Sequence, residues 1–504
     1  MLIGLSYGAA PALAAGSAKE CEALASQTVF ENTIVTKATM QPADASVHRP
    51  AFCEVTATAK PVADSNITIV VRLPETWNGK LLGSGGGGWA GNTTLGGPPG
   101  TPAGATPGLV AGYAVAQTNS GHDVSNVWDT SWATNPEAVT DFSYRAIHVM
   151  TDVAKAIVAK YYGRPQQRAY FEGCSTGGRQ ALMEVQRFPT DYEGVIAGAP
   201  VYTLTVQTMS LVRNATFAHA DAPFTAVQLK KLNDAVLSAC DGRDGIVDGI
   251  VTDPRSCSFD PAVLQCGNDP ERRDADCLSP GQVKALHSIY SGVKNSAGDT
   301  VSYPLMRGSE PSWSRFISTG KVATAEDFNS GTAGAGLGGL RALVFHDPTF
   351  DLAAFNAEKD YKTVRASDFA AGYEARDPDI SAFVNAGGKL LLWHGMYDPG
   401  PSPLGTLEYF NEVKRVTGPK VKSLDDSARM FMAPGVYHCR GGPGADQFDA
   451  VAAVDKWVEH LQAPAALLAT RADGALSRPL CQYPTLPHYK SKGDPNSAES
   501  FACK

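Results

Sequence analysis

Phe171-Glu172-Gly173-Cys174-Ser175-Thr176-Gly177-Gly178-Arg179 holds Gly-x-Ser-x-Gly at Gly173, Ser175 and Gly177. The strand-like run Arg168-Ala169-Tyr170-Phe171 leads into it, and the helix-like run from Arg179 to Val185 leads out. A serine on a sharp strand-to-helix turn, with small residues where backbones crowd, is what a nucleophile elbow requires. The chain has 50 glycines, so the motif carries weight only through this setting and through Cys174 beside the serine.

Upstream, Ile67 to Leu73 is β-branched and strand-like, and Lys80-Leu81-Leu82 opens a second strand that runs into Gly83-Ser84-Gly85-Gly86-Gly87-Gly88-Trp89. The glycine run matches Gly-x-Gly-x-x-Gly. It is followed by Gly97-Pro98-Pro99 and Gly104-Ala105-Thr106-Pro107, which predict a loop with no helix to meet a pyrophosphate. A Gly-rich loop after an early strand, ahead of an elbow, better suits half of an oxyanion hole. Tyr113 to Thr118 reads as a buried strand, Phe142 to Tyr162 as a helix, and Gly194 to Ala197 as a strand after the elbow helix.

From about Val201 to Phe383 this rhythm is lost, and four of the ten cysteines fall there. Lys389 to Gly395 then restores a buried strand, Leu404 to Val416 a helix, Arg429 to Met432 a strand and Phe448 to Leu461 an amphipathic helix. Strands alternating with helices predict an α/β fold with a mostly parallel sheet, interrupted by an inserted lid domain. The boundaries read as a signal segment at 1–14, a catalytic domain at 15–200 and 384–504, and a lid at 201–383.

A serine nucleophile needs an acid and a base at later strand ends, in the order Ser, acid, His. Asp398 follows the 389–395 strand and His438 follows the 429–432 strand. His122 precedes the elbow and reads as a structural histidine near the site. His394, inside a strand run, reads as a packed or hydrogen-bonded one. Cys174 precedes the nucleophile and Cys439 follows the base. A disulfide between them, with Cα atoms roughly 4.4–6.8 Å apart, would join the two loops directly.

Between Cys240 and Asp253 the inserted region alternates carboxylates with glycines: Asp241, Asp244, Asp248, Asp253. Acids on one tight loop repel unless a hard cation sits among them, and Ca²⁺ is the natural occupant, the plain alternative being a solvated Asp-Gly turn. The spacing is not that of an EF-hand, and no His/Cys pattern resembles catalytic zinc.

At 504 residues, with 43% hydrophobic and 19% charged content, the chain reads as a large globular protein. The net charge of −8 is spread without long runs, so nothing attracts nucleic acid or an anionic membrane. Ten cysteines, with a short apolar run from Met1 and Ala12-Leu13-Ala14 resembling a cleavage site before Ala15, predict a secreted or periplasmic protein. No run approaches the roughly 18–20 apolar residues that span a bilayer.

Gly-Cys-Ser-x-Gly-Gly-Arg at 173–179, the Asp-rich loop at 241–253, His-Gly-Met-x-Asp at 394–398 and His-Cys-x-Gly-Gly at 438–442 resemble the tannase/feruloyl esterase family. That family also contains the hydrolase of mono(2-hydroxyethyl) terephthalate. The resemblance runs from about Cys21 to Cys503. It implies an α/β-hydrolase core with a large lid, and Ser175, Asp398 and His438 as a catalytic triad. It also implies an oxyanion hole from the N–H groups of Thr176 and Gly88. Structural Ca²⁺ would be held by Asp241, Asp244 and Asp248 with the carbonyls of Ile246 and Ile250. The implied disulfides are Cys21–Cys53, Cys174–Cys439, Cys240–Cys257, Cys266–Cys277 and Cys481–Cys503.

The chain departs from the terephthalate monoester hydrolase in two places. Pro399-Gly400-Pro401 stands where that enzyme has an aromatic wall after its acid, and only Arg341, in a loose alignment, stands near its carboxylate-binding arginine. Esters of phenolic acids such as feruloyl or galloyl esters are therefore the expected substrates, cleaved through an acyl-enzyme. The alternatives are a terephthalate monoester hydrolase and a non-catalytic calcium-stabilised binding protein.

Overall fold

The computed structural model describes residues 13–14, 18–96, 104–219, 221–267, 276–317, 319–330 and 336–504. Its centre is a ten-stranded sheet of β1 (Thr28–Phe30), β2 (Thr33–Gln41), β3 (Phe52–Ala59), β4 (Ile67–Pro74), β5 (Lys80–Ser84), β6 (Ala114–Thr118), β7 (Arg168–Cys174), β8 (Gly194–Gly198), β9 (Lys389–Gly395) and β10 (Ala428–Ala433). The spatial order is β10-β9-β8-β7-β5-β6-β4-β3-β2-β1. From β10 through β6 the neighbours are parallel, and from β6 through β1 they are antiparallel. The predicted strands fall within this set; β1, β2 and β3 were not read.

Side-chain alternation divides the strands between two cores. Leu81, Phe171, Val195, Leu390 and Leu392 face α1 (Ala146–Tyr162), α2 (Thr176–Arg187) and, through Leu407, Phe410 and Val413, a helix near the C-terminal third. Leu82, Tyr170, Ile196, Leu391 and Phe431 face the opposite way, toward Ala450 and Val454. Apolar burial on both faces explains why the parallel strands read as continuous apolar runs.

Between β8 and β9, which are adjacent in the sheet, the chain leaves and returns. The excursion contains α3 (Thr205–Thr216) and α4 (Ala226–Cys240); α5 (Pro403–Thr417) and α6 (Ala450–His460) follow its return. Its Leu204, Leu211, Leu337, Leu340 and Phe369 gather around Trp89 and Phe142 of the sheet domain in a third, shared apolar cluster.

Two expectations are corrected. A helix of six residues, Ala105–Val110, does follow the Gly-rich loop, packing Leu109 into the second core. The helix expected from Phe142 starts at Ala146, after a π-helical turn over Asp141–Arg145. There the carbonyls of Phe142 and Ser143 accept from Arg179 Nη2 at 3.0 Å and Nη1 at 2.6 Å. These side-chain bonds draw the carbonyls off the helical ladder, and a π turn accommodates the diversion. Residues 1–12 of the predicted leader and Ala15 after it lie outside the described residues; Leu13–Ala14 pair antiparallel with Thr76–Trp77.

Candidate active site

β7 delivers the elbow. Ser175 caps α2 with φ 65° and ψ −123°, a left-handed backbone that a non-glycine residue holds only at a cost of about 1–3 kcal/mol. The turn is tight enough that a Cβ on Gly173 would lie 2.4 Å from the carbonyl carbon of Gly177, so only glycine fits. From this position Ser175 Oγ lies 2.9 Å from His438 Nε2, and His438 Nδ1 lies 2.6 Å from Asp398 Oδ2. Asp398 is fully buried and its ionised carboxylate only accepts, so Nδ1 carries the hydrogen and Nε2 is left to accept from the serine hydroxyl.

Burial alone would push the Asp398 carboxyl up. The charge of His438 and the hydrogen bonds from His394 and His438 outweigh it and hold the carboxyl at about 2. Gly400 N–H donates to Oδ1 at 2.8 Å, and His394 Nε2 lies 3.1 Å from Oδ2. From the inserted segment, buried Arg213 on α3 donates Nη1 to the carbonyls of Pro399 at 2.7 Å and Gly400 at 3.2 Å. The Pro399-Gly400-Pro401 turn is thus engaged in holding the acid. Burial lowers the Arg213 guanidinium to about 10, opposed by the Asp398 charge. The ring of Phe316, also from the inserted segment, sits edge-on to His438 with centroids 5.3 Å apart.

Cys174 and Cys439 form a disulfide with Cα atoms 6.0 Å apart across 265 residues of sequence. Cys21–Cys53, Cys240–Cys257, Cys266–Cys277 and Cys481–Cys503 account for the other eight cysteines.

Thr176 Oγ1 donates to the carbonyl of Gly88 at 2.6 Å, and Gly177 N–H to that of Gly86 at 2.9 Å, so the Gly-rich loop is tied directly to the elbow. Gly88 has φ +60°, and a Cβ there would lie 2.5 Å from the Val127 carbonyl oxygen. The Thr176 N–H belongs to the first turn of α2, whose N–H groups have no partner inside the helix. His122 supports the loop from behind: its Nε2 lies 2.7 Å from the Trp89 carbonyl, and its ring stacks on Trp132 at 4.0 Å. Burial lowers its imidazole to about 4, so it stands neutral at pH 7.

In the Asp-rich loop, Asp241 Oδ2 accepts from Gly249 N–H at 2.8 Å and Asp244 Oδ2 from Thr252 Oγ1 at 2.6 Å. Asp248 Oδ1 accepts from Ile250 N–H at 3.2 Å, and its Oδ2 meets Arg478 Nη2 at 2.5 Å. The N–H of Ile246 donates to Asp244 Oδ1 at 3.2 Å. Burial raises the carboxyls of Asp241 and Asp244, and the charge of Asp248 raises both further. Three acids against one arginine leave an excess of hard oxygen donors and negative charge, which suits Ca²⁺. Among the described residues the three-residue set with ligand atoms within 4.8 Å of one another is instead His148, Asp152 and Asp191. There His148 Nδ1 already lies 2.7 Å from Asp191 Oδ2, and its Nε2 3.7 Å from Asp152 Oδ2. Arg341 donates Nε to the Phe350 carbonyl at 2.7 Å.

Sequence reasoning did not anticipate Arg213, Phe316 or the contact of His394 with the acid. Only His394 left a signal, its spacing of four residues from Asp398.

A family model described as tannase and feruloyl esterase matches residues 53–504. A mono(2-hydroxyethyl) terephthalate hydrolase from Piscinibacter sakaiensis is 32% identical, covering 92% of this chain and 86% of its own. Among solved structures, an esterase from Aspergillus oryzae superposes with a TM-score of 0.85 at 25% identity, covering 97% of this chain and all of its own. Feruloyl esterase B from Aspergillus oryzae superposes with a TM-score of 0.83 at 27% identity over the same shares. The chain belongs to the tannase and feruloyl esterase family and has its α/β-hydrolase fold.

Proposed function

We propose that this chain is a serine carboxylesterase that cleaves esters of aromatic acids, with Ser175 as nucleophile, His438 as base and acid, and Asp398 as the carboxylate that orients it. The observation that carries the reading is one imidazole spanning 2.9 Å to Ser175 Oγ and 2.6 Å to Asp398 Oδ2. Ser175 Oγ attacks the ester carbonyl while its proton passes to His438 Nε2; the tetrahedral oxyanion forms against the N–H groups of Thr176 and Gly88. Collapse breaks the C–O bond, and Nε2 returns the proton to the departing alcohol. Water then repeats the sequence on the acyl-enzyme, releasing the acid and Ser175.

The acid ring would lie beneath the inserted segment, acting as a lid, with Phe316 beside His438 as an aromatic surface for it. The Pro399-Gly400-Pro401 turn, engaged with Asp398 and Arg213, offers no aromatic ring of its own. Feruloyl or galloyl esters are the leading substrates. The 32% identity to the terephthalate monoester hydrolase favours that ester as a second reading. Structural Ca²⁺ would be held by Asp241, Asp244 and Asp248 with the carbonyls of Ile246 and Ile250. It would supply the charge that offsets the crowded acids. Ten paired cysteines support export to an oxidising compartment.

Acid release from ethyl ferulate, methyl gallate and mono(2-hydroxyethyl) terephthalate, compared side by side, tests the assignment. Ferulate or gallate esters are expected to give the higher kcat/KM. A preference for the terephthalate monoester would overturn the first reading in favour of the second. Hydrolysis of none, without labelling by an active-site phosphonate, would leave a non-catalytic binding protein.

A further inference from the structure

We propose that His394 is a positioning residue for the acid of the triad, a second imidazole that donates to the same Asp398 carboxylate oxygen as His438. The inference rests on the Ser175–His438–Asp398 reading above. His394 lies at the C-terminal end of β9 and is fully buried, so both ring nitrogens must find partners inside the protein. Nε2 lies 3.1 Å from Asp398 Oδ2 and 3.2 Å from the Pro401 carbonyl. Both of these are acceptors, so Nε2 carries the hydrogen. Nδ1 lies 2.8 Å from Thr406 Oγ1, whose hydroxyl donates to it in the neutral ring. The tautomer is therefore the reverse of that in His438, set by the two acceptors at Nε2, and the Thr406 hydroxyl on α5 complements it.

The carboxylate of Asp398 is consequently held at both oxygens. Oδ1 takes Gly400 N–H at 2.8 Å, and Oδ2 takes one hydrogen from each imidazole. A carboxylate with one donor on Oδ1 and one on Oδ2 could still swing about its Cβ–Cγ bond when His438 becomes an imidazolium. The third donor, fully buried on an interior strand of the sheet, removes that freedom. Charge forming on His438 then meets a carboxylate that needs no reorganisation. His394 has no exposed surface through which to touch substrate, so its effect belongs in kcat and not in substrate binding.

Two substitutions separate this role from simple packing. His394→Gln can place an amide N–H where Nε2 lies, keeping the donor to Asp398. His394→Asn reaches only as far as Nδ1, keeping the Thr406 contact and losing the one to Asp398. With p-nitrophenyl butyrate, and sites counted by phosphonate titration, His394→Asn is expected to lose about 10- to 100-fold in kcat, with KM changed by less than about two-fold. His394→Gln is expected to stay within about five-fold of wild-type kcat. Asn at wild-type kcat, or Asn and Gln losing kcat equally, would overturn the proposal. If the Asn protein does not fold, a folded Gln protein more than about 100-fold slow does the same. Wild-type protein that neither turns over the ester nor takes the phosphonate would instead defeat the reading of the site itself.

Discussion

Asp398 is a fully buried carboxylate on which three hydrogen bonds converge, and its energetics follow from that. Its carboxyl sits at about 2 in the folded protein against an ordinary value of 3.8. A depressed folded value means that the ionised group stabilises the fold above pH 4, and that this stabilisation is lost as pH falls toward 2. The contribution is on the order of 2 kcal/mol. Urea midpoints between pH 2 and 6 should therefore fall more steeply for the wild type than for Asp398→Asn; parallel curves would contradict the account. The same residue scale shows what a linear reading can reach. Ser175, Asp398 and His438 each follow a strand of apolar residues, and that pattern is local. Arg213 meets Pro399 and Gly400 across a large gap in sequence from a stretch without periodicity. Nothing near it in the chain announces the partnership.

The elements tell the same story with a different cause. The parallel strands β5 to β10 were legible because burial on both faces makes them continuous apolar runs. β2, one strand in from the edge, buries Thr33, Val35 and Ala38 but breaks the alternation at the exposed pair Thr36-Lys37, which leaves little apolar signal. The π turn before α1 depends on Arg179, more than thirty residues later, so no local propensity reveals it. Between elements, the Cys174–Cys439 bond joins the end of β7 to the loop after β10. In the chain-entropy model, closing so long a loop is worth about 5 kcal/mol or slightly more. Its loss should also release His438 from Ser175. The Cys174→Ala/Cys439→Ala double variant should both melt earlier and lose kcat per folded site; an earlier melt with unchanged kcat would limit the bond to stability.

For the whole molecule, the inserted segment and the sheet domain share Trp89 and Phe142 in one apolar cluster, while Arg213 reaches from one to the acid loop of the other. The Asp-rich loop extends this coupling, since Asp248 pairs with Arg478 in the C-terminal region and the Tyr397 hydroxyl accepts from Val251 N–H at 2.7 Å. Tyr397 is the neighbour of Asp398, so calcium at the loop would brace the acid through one residue. Chelation is expected to lower the melting temperature by several degrees, and Asp241→Asn to abolish the difference; an unchanged melt in chelator would reduce the loop to a turn. The central claim is that Ser175 performs the hydrolysis. Its most direct test is a fluorophosphonate reaction followed by peptide mass spectrometry, with ethyl ferulate turnover measured on the same sample. One label per chain on the peptide containing Ser175, lost in Ser175→Ala together with turnover, is the predicted result. A label elsewhere, or ferulate release that survives Ser175→Ala, would contradict it.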